Sequence, residues 1–292
     1  MRRKWNTLAG AGAFTVFLLC RAASASAEAQ SGQQGQPPSQ QQQPPSDKEK
    51  QPNPAPLSMD NAPAAGPEED SASKTVQQTT DPNKRIQLAE DFLKKYPQSR
   101  YRASMYQALV SGYFATQQVP KMLEAGEKEV ELNPNDAPVL AVMGQALART
   151  YNAKAPDAAK QLDKAEQYSK RAIEITPTLT KPENLSDEAF SNAKNDTLVM
   201  AHSGLGLVYI RRGKFSEAVP ELEQSVKADS HPEPDPVNYY LLGVADKQTS
   251  HFEAAAAAFA KCATVQSTLQ ATCKSGAEDA KKQSSTQLSA PN

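Results

Sequence analysis

His202-Ser203-Gly204-Leu205-Gly206-Leu207-Val208-Tyr209, followed by Gly213, Phe215, Ala218 and Leu222, is the stretch on which the fold turns. His202, Leu205, Gly206 and Tyr209 recur at the spacing of one helical face, and Phe215, Ala218 and Leu222 give a second helix beyond the glycine. A small residue in the first helix and an alanine in the second let the two axes approach, while the leucine and aromatic positions fill the space between neighbouring hairpins. The arrangement recurs at Tyr239, Leu242, Gly243 and Asp246, then Phe252, Ala255 and Phe259. Two degraded copies precede it: Tyr106, Leu109, Val110 and Tyr113, closing at Leu132-Asn133-Pro134, and Leu140, Met143, Gly144 and Leu147, closing at Ala172-Ile173 and Pro177.

These spacings resemble the tetratricopeptide repeat (TPR), with its W-x2-L-G-x2-Y, A-x3-F and closing proline. The resemblance implies an all-α TPR-type α-solenoid of antiparallel helix hairpins, irregular with two insertions. Repeats are expected at about 103–136, 137–177, 199–232 and 236–266, inside a helical domain spanning 81–283. A capping helix at about 269–282 should follow, then a disordered tail over 284–292. Asp81 to Pro97 reads as half a repeat, and its Ala89 to Tyr101 phrase resembles the repeats of exported bacterial envelope proteins. The first insertion adds nine residues within Tyr151 to Gln161; the second is Thr178 to Leu198. Ser186, ahead of Asp187 and Glu188, is a helix cap, so a helix of about 26 residues, roughly 39 Å, should run from Asp187 to about Arg212.

Outside the repeats the texture changes. Between Gln30 and Thr80 there is no aromatic residue, while nine prolines accompany the tract Gln40 to Gln43. Such a segment cannot bury enough apolar area to offset chain entropy, so 28–80 reads as a disordered Pro/Gln-rich linker. Arg2, Arg3 and Lys4, the apolar run Leu8 to Leu19 and the small residues Ala22 to Ala27 have the layout of a secretory signal peptide, expected over 1–27. Cleavage after Ala27 is favoured, with Ala25 and Ala29 as alternatives. Lipid attachment at Cys20 is disfavoured because Leu19 stands where a small residue is required. The chain is therefore expected to be exported, periplasmic or secreted, with no integral span in its mature form.

Composition removes several functions. With 32 basic and 33 acidic side chains the chain has no electrostatic case for nucleic acid, and its mean hydropathy of -0.64 excludes a multi-span membrane protein. Three histidines and no clustered cysteines make a multi-ligand metal site unexpected. His202, His231 and His251 lie near no nucleophile signature, and no phosphate-loop, dinucleotide or zinc-protease motif occurs. No catalytic residue and no cofactor are assigned. Signal-peptide removal leaves Cys262 and Cys273, almost symmetric about a turn near Ser267. A disulfide between them across a solvent-facing cap is expected, the competing arrangement being two separate buried thiols.

The TPR resemblance also implies a concave groove lined by the first helix of each repeat. Carried onto matching positions, it consists of Gln107, Ser111 and Phe114, then Gln145 and Arg149, then Leu207, Ile210 and Arg211, then Tyr240, Val244 and Lys247. The groove would hold a protein or peptide partner; alternatively, its apolar members pack against neighbouring helices. The first functional expectation is a non-enzymatic exported interaction scaffold binding an extended or helical segment. The second is a structural assembly factor of the bacterial cell envelope acting through its convex surface or linker.

Overall fold

The computed structural model describes residues 65–289 except Asn184. The expected signal peptide, the linker up to residue 64 and the last three residues of the tail lie outside the described residues. Those described form eleven α-helices and a single 3-10 turn, Thr176–Thr178, with no strand. The helices are α1 (Pro67–Gln78), α2 (Pro82–Lys95), α3 (Arg102–Ala115), α4 (Val119–Leu132), α5 (Ala137–Arg149) and α6 (Ala158–Ile175). They continue as α7 (Asp187–Arg211), α8 (Phe215–Ala228), α9 (Pro236–Gln248), α10 (Phe252–Thr264) and α11 (Gln270–Ser289). Successive pairs pack as antiparallel hairpins, each leaning on the next, and α11 closes the array against α10.

Three of the hairpins share one turn. In α3–α4, α7–α8 and α9–α10 the first helix ends with a residue at positive φ: Gln117 at 58°, Gly213 at 71° and Ser250 at 62°. The next amide reaches back to the carbonyl five residues earlier, Gln118 to Tyr113, Lys214 to Tyr209 and His251 to Asp246, at 2.8, 2.8 and 2.9 Å. The left-handed residue itself bonds three residues back, to Phe114, Ile210 and Lys247. These paired bonds are a Schellman closure, which satisfies the orphan carbonyls of the helix end and reverses the chain in three residues. The α5–α6 hairpin lacks it: the first insertion replaces the tight turn with residues 150–157.

The second insertion becomes the front half of α7. Ser186 caps it by accepting the amide of Ala189 at 3.1 Å, with Asp187 and Glu188 in the first turn, and the helix runs 25 residues. Its front half buries Ala193 and Thr197, and Lys194 donates to the Pro177 carbonyl at 3.0 Å. Its back half makes the hairpin with α8. There Gly206 faces Leu222, and the equivalent Gly243 of α9 faces Phe259 of α10; a Cβ at either would stand 2.6 to 2.8 Å from the partner side chain. Gly204 instead faces the backbone of α5, with Gln145 N at 2.9 Å from where a Cβ would be.

The apolar interior forms three clusters. The first runs from Val76 through α2–α5 to Ala201, the second joins Ala148, Leu162 and Leu207 to Leu222 and Leu242, and the third holds Ala255, Ala256, Phe259, Ala277 and Ala280 between α10 and α11.

Both ends differ from the sequence reading. The linker expected to be disordered through residue 80 gives way to α1, with Glu68, Glu69 and Asp70 in its first turn and Val76 buried. Polar bonds hold it: Tyr101 Oη donates to Asp70 at 2.6 Å, Arg100 lies 3.5 Å from the same carboxylate, and Ser99 donates to Glu69. A composition argument based on apolar area cannot see such a tie. At the other end α11 continues to Ser289, so the cap does not stop at 282 and most of the expected tail is helical.

Candidate functional site

Each first helix does present its face inward, but several of the groove positions are closed by neighbouring helices. Gln107 is buried and donates to Asp136 at 2.9 Å, the same carboxylate that caps α5 through the Val139 amide. Ser111 is buried within 3.5 Å of the Arg85 guanidinium. Gln145 is buried because Gly204 brings α7 onto it, and Leu207 lies inside the second apolar cluster with Ile210 packed beside it. Gln107, Gln145 and Leu207 are therefore packing residues, and the expectation that they face a ligand is corrected. The small Gly204 brings α7 against α5 and leaves no space at Gln145.

The remaining positions separate into two groups. Phe114 is 37% exposed on α3. Arg149 lies at the end of α5, 3.4 Å from Asp235, the N-cap residue of α9. Arg211 is exposed, with its guanidinium 5.9 Å from the Tyr151 ring centre. These three stand apart from the last group. Tyr240, Val244 and Lys247 do come together, in a pocket of about 820 Å³ between α9 and α11. Phe259 contributes to its lining, its ring 6.0 Å from that of Tyr240 and tilted 56° to it.

Across from Tyr240 the wall is α11. Ala271, Thr272, Ser275 and Gly276 present small side chains to the pocket, and Glu278, Asp279 and Lys282 complete its rim. Lys247 is opposed by a carboxylate: its ammonium is bonded to Asp279. That bond, with a second from Gln283, holds the Asp279 carboxyl below the usual aspartate range. The rim thus carries two cations and two carboxylates. The α11 residues are absent from the sequence-derived groove because the cap was expected to face solvent. The small residues at 271, 272, 275 and 276 were the available signal.

Cys262 near the end of α10 and Cys273 in the first turns of α11 are joined by a disulfide, with Cα atoms 5.8 Å apart and both residues fully buried. The link ties the two helices together beside the pocket.

The ionisable groups elsewhere form structural pairs. His202 lies 2.7 Å from Glu221, His231 lies 3.0 Å from Asp229 and 3.6 Å from Asp196, and His251 lies 3.6 Å from Asp246. Burial raises Asp196 and Asp246 above the ordinary aspartate range, with the neighbouring histidine opposing in each case. Among the described residues no group of three or more His, Cys, Asp or Glu side chains is placed to hold a metal ion, and no helix is long and apolar enough to cross a membrane.

Stacked two-helix hairpins with a glycine of the first helix against a leucine or phenylalanine of the second define a TPR-like α-solenoid. No protein-family model matches the sequence, and no curated protein matches it. Among solved structures it is similar to TTC0263, a thermophilic TPR protein of Thermus thermophilus, at 18% identity and a TM-score of 0.46, over 73% of this chain and 98% of that one. It is also similar to PilW, a type IV pilus biogenesis factor, at 15% identity and a TM-score of 0.48, over 76% of this chain and 93% of that one. A MamA double mutant gives 15% and 0.47, over 68% of this chain and 94% of that one.

Proposed function

We propose that this protein is a non-enzymatic, exported interaction scaffold that holds an extended or helical segment of an envelope or secreted protein in the groove between α9 and α11. The observation that carries the reading is the pocket itself: Tyr240, Val244 and Phe259 on one side, small side chains on the other, and about 820 Å³ between them. That volume is of the size that takes one or a few side chains of a bound segment. With Lys247 paired to Asp279 and equal numbers of cations and carboxylates on the rim, no strongly charged anchor is favoured. Export is supported by the three-part layout of the first 27 residues and by a disulfide of the kind that persists outside the reducing cytosol.

The test is site-specific photocrosslinking in native envelope, with the reactive residue placed at Val244, at Ser275, on the convex helix α8 and in the linker before residue 65. Crosslinks from Val244 and Ser275 to one partner are expected. Tyr240→Ala should then weaken that partner's binding by roughly 2 kcal/mol or more, the usual cost of losing an aromatic anchor. Crosslinks confined to α8 or the linker would replace this reading with the envelope assembly factor.

A further inference from the structure

We infer that the Cys262–Cys273 disulfide gates this groove, in that α11 stands as its second wall only while the cysteines are oxidised; the inference rests on the groove reading above. α11 packs closely along α10, but through small side chains. Its described buried residues are Cys273, Ala277 and Ala280, none of them a large aliphatic or aromatic side chain. The cluster it joins contains four alanines and Phe259, apart from the two larger clusters. Gly276, in the middle of the helix, is what allows it to lie on Phe259: a Cβ there would meet the ring at 3.0 Å. The Lys247–Asp279 pair is a third to a half exposed on its two sides and is screened accordingly.

A segment with four serines, two threonines and a glycine in 20 residues is marginal as an isolated helix. The crosslink, placed where α10 ends and α11 begins, adds a covalent restraint where the wall starts. Its reduction is an ordinary exchange with a dithiol donor. A donor thiolate attacks one cysteine sulfur, the S–S bond breaks and the other cysteine leaves as a thiolate that takes up a proton. The second donor thiol then displaces the mixed disulfide, so the donor leaves oxidised and the protein has gained two electrons and two protons. Because both cysteines are fully buried, exchange requires that the first turn of α11 lift. Once it is freed, Gly276 leaves Phe259, Asp279 leaves Lys247, and Tyr240 and Val244 face water rather than a groove.

Amide hydrogen exchange on the mature full-length chain, oxidised and after dithiothreitol, tests this without any partner. Exchange in 270–283 should accelerate by about a hundredfold on reduction, the factor expected when a loop this short loses its crosslink, while α7 and α8 keep their protection. Reoxidation should restore it, and the double variant Cys262→Ser/Cys273→Ser should behave as the reduced protein and ignore the reductant. Unchanged exchange in 270–283, or equal acceleration in α7 and α8, overturns the inference: the first means the alanine contacts suffice, the second that the bond holds the whole solenoid. Failure of the Val244 crosslink in oxidised protein is a separate result, sinking the groove reading while exchange still decides whether the wall is redox-dependent.

Discussion

Gly213 and Ser250 occupy the same position of the same turn, at φ 71° and 62°, and their exchange isolates one term in the stability of the solenoid. A Cβ built on Gly213 meets no atom within 4 Å, so Gly213→Ala adds no clash. What it adds is the cost of a non-glycine residue in the left-handed region, roughly 1–2 kcal/mol. Part of that is offset because alanine restricts the unfolded chain, by about 0.4–1 kcal/mol. The net expectation is a loss of about 1 kcal/mol. Ser250→Gly runs the same cycle backwards and should gain about as much. Gln117→Gly, at the third turn, should repeat that gain. In urea, with m near 2 kcal/mol/M for a chain of this size, each change moves the midpoint by roughly 0.5 M in opposite directions at constant m. A neutral Gly213→Ala or a destabilising Ser250→Gly, with m unchanged, would refute the conformational account. It would mean that contacts of the Ser250 side chain, rather than backbone strain, set the turn.

Gly204→Ala should cost about 1–3 kcal/mol by overpacking, since its new methyl meets the α5 backbone, and should exceed the cost of Gly206→Ala, which meets only the movable Leu222 side chain. Thermal unfolding of the two variants side by side checks the order, and the reverse order would remove backbone contact between α5 and α7 as the reason for the glycine. Asp246 is raised by burial, with His251 opposing, so the native state keeps its proton longer than the unfolded state does. Its contribution therefore falls as pH rises from the ordinary aspartate value toward the raised one; Asp246→Asn should flatten that part of the stability–pH curve, as measured by unfolding across the mildly acidic range up to neutrality. Ser275→Phe should fill the α9–α11 pocket and abolish crosslinking from Val244 while leaving stability within about 0.5 kcal/mol, as expected of a change at an exposed position; a persistent crosslink would place the partner elsewhere.

Hairpin architecture was legible because it is written in local spacing. Leu205, Gly206, Ala218 and Leu222 report helix-on-helix contact within one hairpin, and Ser186 with its two carboxylates reports a helix start within a few residues. The turn at Gly213 carries its own signal. Those at Gln117 and Ser250 carry none, because the hydrogen-bond closure is made by backbone atoms that any residue supplies. The groove was legible only in part. Position within a repeat says which residues point inward, but it does not say how far the next hairpin stands away. That distance is set by Gly204 against Gln145, a pairing between distant parts of the chain with no periodic trace. Tyr240, Val244 and Lys247 escape such closure because α11, rather than another repeat, stands across from them.

A solenoid must end, and each end would expose the apolar face of its last hairpin to water. Here the two ends are finished by different chemistry. The first hairpin is closed by α1, which buries Val76 in the first apolar cluster and whose carboxylates Glu69 and Asp70 are bonded to Ser99 and Tyr101. The last is closed by α11, which covers α10 with alanines and a glycine and is fastened by a disulfide. Its small side chains let α11 lie directly on Phe259, and beside that contact a volume is left between α9 and α11. The crosslink allows it: with covalent attachment supplying the hold, the cap has no need of large side chains, and the end of the array is left open enough to take one from another protein.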